Sequence, residues 1–256
     1  MQPSVVAQGG EADHPGHWLG STPLLDLDDP KLRLLVQSLT QLCTSERDKA
    51  LAIYRFVKRM PVVKPMGMRL ATARQVLSAG RGDAKRKATL AVAMLRIAGI
   101  PARVRWVALR GEILRGLTSA VHQVNRPVLE VWLDGGWQQT DTYIYDAATM
   151  AAARQTLKER GWEWGFGIHV DGRMLWDGQG SLFMGRPPHG ANPMFVRDLG
   201  CYHDPACYMA SPAFRGAHNP LSRRLQWSLM SPLIDRAWRA LREPVAAPGA
   251  PSRHTP

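Results

Sequence analysis

Residues 80–103 read GRGDAKRKATLAVAMLRIAGIPAR, and this stretch decides the fold. Asp83 can cap a helix whose apolar residues recur at helical spacing as far as Ala98. Gly99 predicts the end of that helix, and Pro101 prevents its continuation. The stretch therefore predicts one largely buried helix that begins directly after Asp83.

Around this helix the sequence predicts further helices and an antiparallel hairpin. Caps and apolar stripes predict helices over 28–42, 45–59, 72–78 and 146–160. Alternating apolar and polar residues predict strands over 102–109, 126–133 and 137–144, with a tight turn at Asp134-Gly135. Residues 165–215 are predicted to be irregular with short strands, and 220–241 to form one or two helices broken near Pro232. This order is typical of an α+β chain.

Length and composition indicate one principal domain. The chain has 256 residues, of which 45% are hydrophobic, enough to bury one sizeable core. Both ends are rich in Gly, Pro and polar residues, so we expect a flexible N-terminus over 1–21, a domain over 22–242 with its core at 72–146, and a disordered tail over 243–256.

The charge and the apolar runs limit the partners. A net charge of +12 favours anionic partners. The arginines are scattered and do not interleave with aromatic residues, so we do not expect nucleic acid. The longest apolar run, 90–95, cannot span a bilayer, and residues 1–18 lack the pattern of a secretory signal. We therefore expect a cytoplasmic protein.

Several separate motifs resemble those of the transglutaminase-like superfamily of cysteine-dependent enzymes. They are the GxGD motif at 80–83 followed by Lys87, the GIPAR motif at 99–103, and the EVWLDGxW strand pair at 130–137 that ends in Asp141. The motifs stand in the family's order. The resemblance implies a papain-like core in which N-terminal helices and the helix that begins at Ala84 pack on a small antiparallel sheet.

The family's Cys, His, Asp arrangement is only partly present. By the resemblance, the cysteine position falls on Ala84, the histidine position on Arg126 and the aspartate position on Asp141. A methyl group cannot attack a carbonyl, and a guanidinium that stays protonated cannot serve as a base. Thiol catalysis at this position is therefore not expected.

Hairpin geometry gives Arg126 a partner. A two-residue turn at Asp134-Gly135 makes Arg126 the diagonal neighbour of Asp141 on one sheet face. We expect a salt bridge between them, and a role for Arg126 in holding a substrate carboxylate or phosphate remains open beside it.

Other residues are candidates for binding or acid and base work. Lys85 and Lys87 crowd the first turn of the helix that Asp83 caps, which favours a bound anion there; in the alternative, Lys87 pairs with a structural acid. His122 lies four residues before the histidine position, and a loop could bring it near. Trp164 and His169 could line a ligand cleft, although a lone His is more often structural.

The three cysteines do not predict a disulfide framework. Cys43 fits the apolar face of a helix. Cys201 and Cys207 enclose His203 and Asp204 at a spacing that matches no common zinc site, and an ordinary loop, a local disulfide and a replacement thiol stay open. We predict no metal and no cofactor.

Three functions remain open from the sequence. The chain is an enzyme that uses Asp141, Arg126, His122 or His169 on a small-molecule, peptide or carrier-bound acyl or amide substrate, for which an anion is expected. Alternatively, it is an inactive binding or scaffolding protein, or a thiol acyltransferase or amide hydrolase inactivated at Ala84. We favour the enzyme, because the segments that form the cleft are intact.

Overall fold

A computed structural model gives the fold and describes residues 14–64, 69–187, 189–215 and 220–242. Three helices come first: α1 (Pro30–Thr40), α2 (Glu46–Arg59) and α3 (Ala73–Ala79). Their caps are those that the sequence predicts. Ser45 accepts a hydrogen bond from the Asp48 amide, and Thr72 forms a capping box with Gln75.

The central helix, α4 (Ala84–Ile97), is buried along most of its length. Every residue from Lys87 to Arg96 is buried, because the N-terminal helices cover one side of α4 and the sheet covers the other. Gly99 follows the helix with a φ of 79°, a conformation in which glycine carries no steric penalty. The predicted helix boundaries are therefore confirmed.

The main sheet has four antiparallel strands in the order β3-β2-β1-β6. Its strands are β1 (Ala102–Arg110), β2 (Gln123–Leu133), β3 (Gly136–Thr140) and β6 (Phe195–Tyr202). A two-stranded ribbon is formed by β4 (Trp164–Gly165) and β5 (Ile168–His169). This mixture of helices and antiparallel sheet confirms the predicted α+β class.

The β2–β3 hairpin has the predicted turn. Leu133 pairs with Gly136, so Asp134 and Gly135 are the two turn residues, with φ values of 51° and 79°. Positive φ at both positions is the type I′ geometry that matches strand twist. β3 ends at Thr140, earlier than the predicted residue 144, because the chain turns after Asp141 towards the next helix.

The second half of the chain closes the fold. It contains α5 (Ala147–Glu159), α6 (Pro205–Ala210), α7 (Pro212–Arg215) and α8 (Pro220–Arg242). α8 packs against α5 and runs through Pro232 as one helix, so the predicted break at this residue is wrong. β6 lies in the region that the sequence predicts to be irregular with short strands. Its pairing with β1 is interrupted by register shifts.

The N-terminal segment is packed on the domain within the part that is described. Residues Pro15–Leu19 form a 3₁₀ turn in which Trp18 is buried, and the Arg103 guanidinium lies 4.9 Å from the centre of its ring. The sequence predicts a flexible end as far as residue 21, whereas packing begins at about Pro15 in the structure. Residues 1–13 and the predicted tail over 243–256 lie outside the described residues.

Each helix in the described part of the chain is too short or too polar to cross a membrane.

Candidate functional site

A cavity of about 160 Å³ lies at the N-terminus of α4, where the family's nucleophile would stand. Its walls are mostly apolar and include five aromatic side chains, those of Trp106, Tyr145, Tyr208, Phe214 and Trp238. α8 contributes Ile234 and Trp238, so the C-terminal helix closes one side of the cavity.

Ala84 is the first residue of α4 and lines this cavity. Tyr143 fixes its backbone, because the phenol donates to the carbonyl oxygens of Ala84 (3.3 Å) and Pro127 (3.0 Å). The amide of Arg86 donates to the Asp83 carboxylate and that of Lys87 to the Asp83 carbonyl. The Ala84 and Lys85 amides have no such partner within the described part of the chain, as expected for the first turn of a helix.

Three cations and one carboxylate line the cavity. The cations are Lys64, Lys85 and Arg126, and the carboxylate is Asp83. The Lys64 ammonium lies 3.9 Å from Asp83. Burial alone would raise the pKa of Asp83, but Lys85, Lys64 and the Arg86 amide hold that pKa below its usual value. Asp83 is therefore ionised and engaged as the helix cap.

Arg126 and Asp141 form the buried salt bridge that the hairpin register predicts. Arg126 Nη1 donates to Asp141 Oδ2 at 2.8 Å, and Nη2 donates to the Gly167 carbonyl at 2.7 Å. Asp141 Oδ1 accepts from the Met184 amide at 2.7 Å. Each carboxylate oxygen thus accepts one of these hydrogen bonds, and the side chain that the carboxylate orients is a guanidinium.

The residues at the three expected triad positions do not all line one cavity. Ala84 and Arg126 line it together, but Asp141 lines a second cavity of about 430 Å³ that it shares with Arg126. The three positions are therefore linked through Arg126, which contacts Asp141 and borders both spaces.

Lys87 was expected to bind substrate, and the structure contradicts this. Its side chain is completely buried, and its Nζ donates to the carbonyl oxygens of Lys58 (3.3 Å), Met60 (2.9 Å) and Ile144 (2.9 Å). Burial, reinforced by the nearby charge of Lys58, lowers the pKa of Lys87 to about 7. Lys87 therefore joins the loop after β3 to α2 and α4, and does not reach the cavity.

The structure also places three other predicted site residues away from this cavity, namely His122, His169 and Trp164. His122 is exposed and lines a separate surface hollow with Glu112 and Arg115. His169 is buried and accepts from the Asp171 amide through Nδ1 at 3.0 Å, and Trp164 packs edge-on against its ring. None of the three lines the cavity beside Ala84.

The cysteines offer no replacement nucleophile. Cys201 and Cys207 are free thiols, so the suggested local disulfide is wrong. Burial and the neighbouring Glu130 carboxylate raise the pKa of Cys201 to about 12, and burial with Asp204 raises that of Cys207 to about 11. Neither thiol lines the cavity, and neither is a ready thiolate.

Several residues of the site were missed by the sequence analysis. Lys64 follows α2 in a segment without a pattern, so no signal pointed to it. Trp106 was recognisable as a core residue of a strand, but not as part of a cavity wall. Tyr208 and Phe214 come from α6 and α7, whose approach to β1 depends on how β6 pairs with that strand.

The fold defines a transglutaminase-like core. Residues 33–142 match the family model of the transglutaminase-like superfamily, which confirms the resemblance that the motifs predict. This stretch contains all three triad positions, Ala84, Arg126 and Asp141. No curated protein matches the chain.

Two solved structures are similar in fold. One is a proposed cysteine protease from Cytophaga hutchinsonii, with 17% identity, a TM-score of 0.41, and coverage of 50% of this chain and 41% of that one. The other is a proposed protease from Parabacteroides distasonis, with 20% identity, a TM-score of 0.34, and coverage of 45% and 25%. The chain thus spans less than half the length of either neighbour.

Proposed function

We propose that this chain is a transglutaminase-like binding protein, which holds a small ligand in the cavity at the N-terminus of α4 and performs no thiol chemistry there. One observation carries the proposal. Among the described residues that line the cavity there is no cysteine, serine, threonine or histidine, while the cavity itself persists beside Ala84. A space that persists without a cysteine or a histidine is suited to binding.

The remaining triad positions support the same conclusion. Asp141 is held by Arg126 and by the Met184 amide, so the side chain that its carboxylate orients is a guanidinium and not an imidazole. Both terminal nitrogens of Arg126 donate hydrogen bonds, one to Asp141 and the other to the Gly167 carbonyl. The ion pair lies at the sheet end that borders the cavity, where the resemblance implies an imidazole oriented by a carboxylate.

The test is a search for turnover that depends on the cavity. The full-length protein is incubated with a glutamine-containing peptide plus a primary amine, and separately with an acyl thioester. Ala84→Phe, which fills the cavity, and Ala84→Ser, its small control, are assayed beside it. We expect equal background rates from all three proteins. Turnover that Ala84→Phe abolishes and Ala84→Ser retains would refute the proposal.

The variant Ala84→Cys, which introduces a thiol at this position, distinguishes a binding protein from a recently inactivated thiol enzyme. In Ala84→Cys the protonated Arg126 still stands at the base position, so we expect neither amide hydrolysis nor preferential iodoacetamide labelling at residue 84. Activity in this single variant would instead support an inactivated thiol acyltransferase or hydrolase.

One observation favours an enzyme as a second candidate. Lys64 lines the cavity, and burial lowers its pKa to about 8 although Asp83 opposes the change. A fraction of Lys64 is therefore a neutral amine near neutral pH, able to act as a base on an acyl substrate. Lys64→Met would abolish turnover of such an enzyme, and Lys64→Arg would not restore it.

A further inference from the structure

The charged side chains around the cavity are mostly cations. Lys64, Lys85 and Arg126 supply positive charge, and the cavity lies at the start of α4, the positive end of the helix dipole. The one lining carboxylate, Asp83, already accepts from Arg86 and faces Lys64. A ligand that complements this lining must therefore supply acceptors.

Trp106 provides an independent sign of a missing acceptor. Its side chain is 2% exposed and lines the cavity, yet its indole Nε1 is buried without a hydrogen-bond partner among the residues described. A buried N–H group normally has a partner, since leaving it unpaired forfeits its hydration without compensation. An acceptor on a bound molecule would satisfy this donor.

The apolar walls of the cavity indicate the size and the aromatic character of the ligand. Trp106 stacks on Tyr208 with ring centres 3.9 Å apart and an angle of 14°, and Phe214 packs edge-on against Tyr208. The volume, about 160 Å³, resembles that of an engineered apolar cavity of about 150 Å³ that takes up benzene in another protein. A compact aromatic body therefore fits, whereas a long peptide does not.

We propose that the ligand is a small aromatic carboxylate, whose ring packs among the aromatic side chains of the cavity and whose carboxylate supplies acceptors to the Trp106 indole N–H and to the cationic lining that includes Lys85. This inference rests on the proposed binding function and specifies the chemistry of the ligand. A cationic ligand would be repelled by Lys64, Lys85 and Arg126, and a purely apolar one would leave the indole N–H without an acceptor.

The experiment compares three probes of the same shape by isothermal titration calorimetry on the full-length protein. They are phenylacetate, the neutral phenylacetamide and the cationic 2-phenylethylamine. We expect phenylacetate to bind at least about tenfold more tightly than phenylacetamide, because hydrogen bonds to an ionised acceptor are the stronger ones. We expect no binding of the amine.

Variants locate the site. Lys85→Met should weaken phenylacetate binding about tenfold, whereas Lys31→Met, an exposed lysine on α1, should leave it unchanged. Ala84→Phe, which fills the cavity, should abolish binding. Circular dichroism and thermal unfolding check that Ala84→Phe is folded, and Val124→Phe, on another wall of the cavity, repeats the test.

The outcomes separate the ligand class from the function. Equal affinity for phenylacetate and phenylacetamide, or binding of the amine that Ala84→Phe abolishes, overturns the carboxylate while the cavity remains a binding site. Phenylacetate binding that survives both Ala84→Phe and Val124→Phe, or no binding of any probe, also overturns the inference. Cavity-dependent turnover in the peptide or thioester assay refutes the binding function whichever probe binds.

Discussion

Replacing Asp141 by alanine tests the buried ion pair between Arg126 and Asp141. Arg126 is 7% exposed and Asp141 2% exposed, so the variant leaves a buried guanidinium whose remaining partner in the described structure is the Gly167 carbonyl. It also removes the acceptor of the Met184 amide. Removing one partner of a buried ion pair costs about 3–5 kcal/mol, so we expect the free energy of unfolding to fall by about 4 kcal/mol.

Urea unfolding followed by tryptophan fluorescence measures this loss. For a domain of this size, about 4 kcal/mol corresponds to a fall of about 8–16 °C in Tm. The exposed pair of Arg33 and Asp28, with exposed fractions of 61% and 101% and a separation of 3.8 Å, is the matched control. Asp28→Ala should cost no more than about 1 kcal/mol.

A double variant checks the cause. Arg126→Met combined with Asp141→Leu leaves neither charge buried, so it should be more stable than Asp141→Ala alone. If Asp141→Ala costs less than about 1 kcal/mol, or if the double variant is the least stable of the set, the pair does not hold this end of the sheet and the argument from buried charge is wrong.

Two further predictions concern stability. Burial lowers the pKa of Lys87 to about 7 in the folded protein, so the unfolded chain binds more protons than the folded protein between about pH 7 and pH 10. The stability of the native protein relative to Lys87→Met should therefore rise with pH over this range, by up to about 1.4 kcal/mol per pH unit. A pH-independent difference between the two proteins in urea unfolding would contradict this. Gly135→Ala places a side chain at a φ of 79° in the β2–β3 turn and should cost about 1 kcal/mol, whereas Gly136→Ala, at the extended start of β3, should cost clearly less in the same assay.

Local chemistry in the sequence predicted much of this protein. Asp83, Gly99 and Pro101 set the limits of α4, because caps and stop signals act over a few residues. The Asp134-Gly135 turn fixed the hairpin register and so the contact between Arg126 and Asp141, since two-residue turns leave no freedom in strand pairing. The absence of a cysteine at residue 84 and of a histidine at residue 126 was also readable directly.

The cavity depended on contacts between distant segments. The sequence left open whether Lys87 points towards the cavity or the core. In the structure it points into the core, because its Nζ donates to carbonyl oxygens from separate segments, those of Lys58, Met60 and Ile144. Likewise, Trp106 became a cavity wall only when α6, α7 and α8 packed around it. Caps and periodicity describe neighbours along the chain, whereas cavities arise between elements that sequence spacing does not relate.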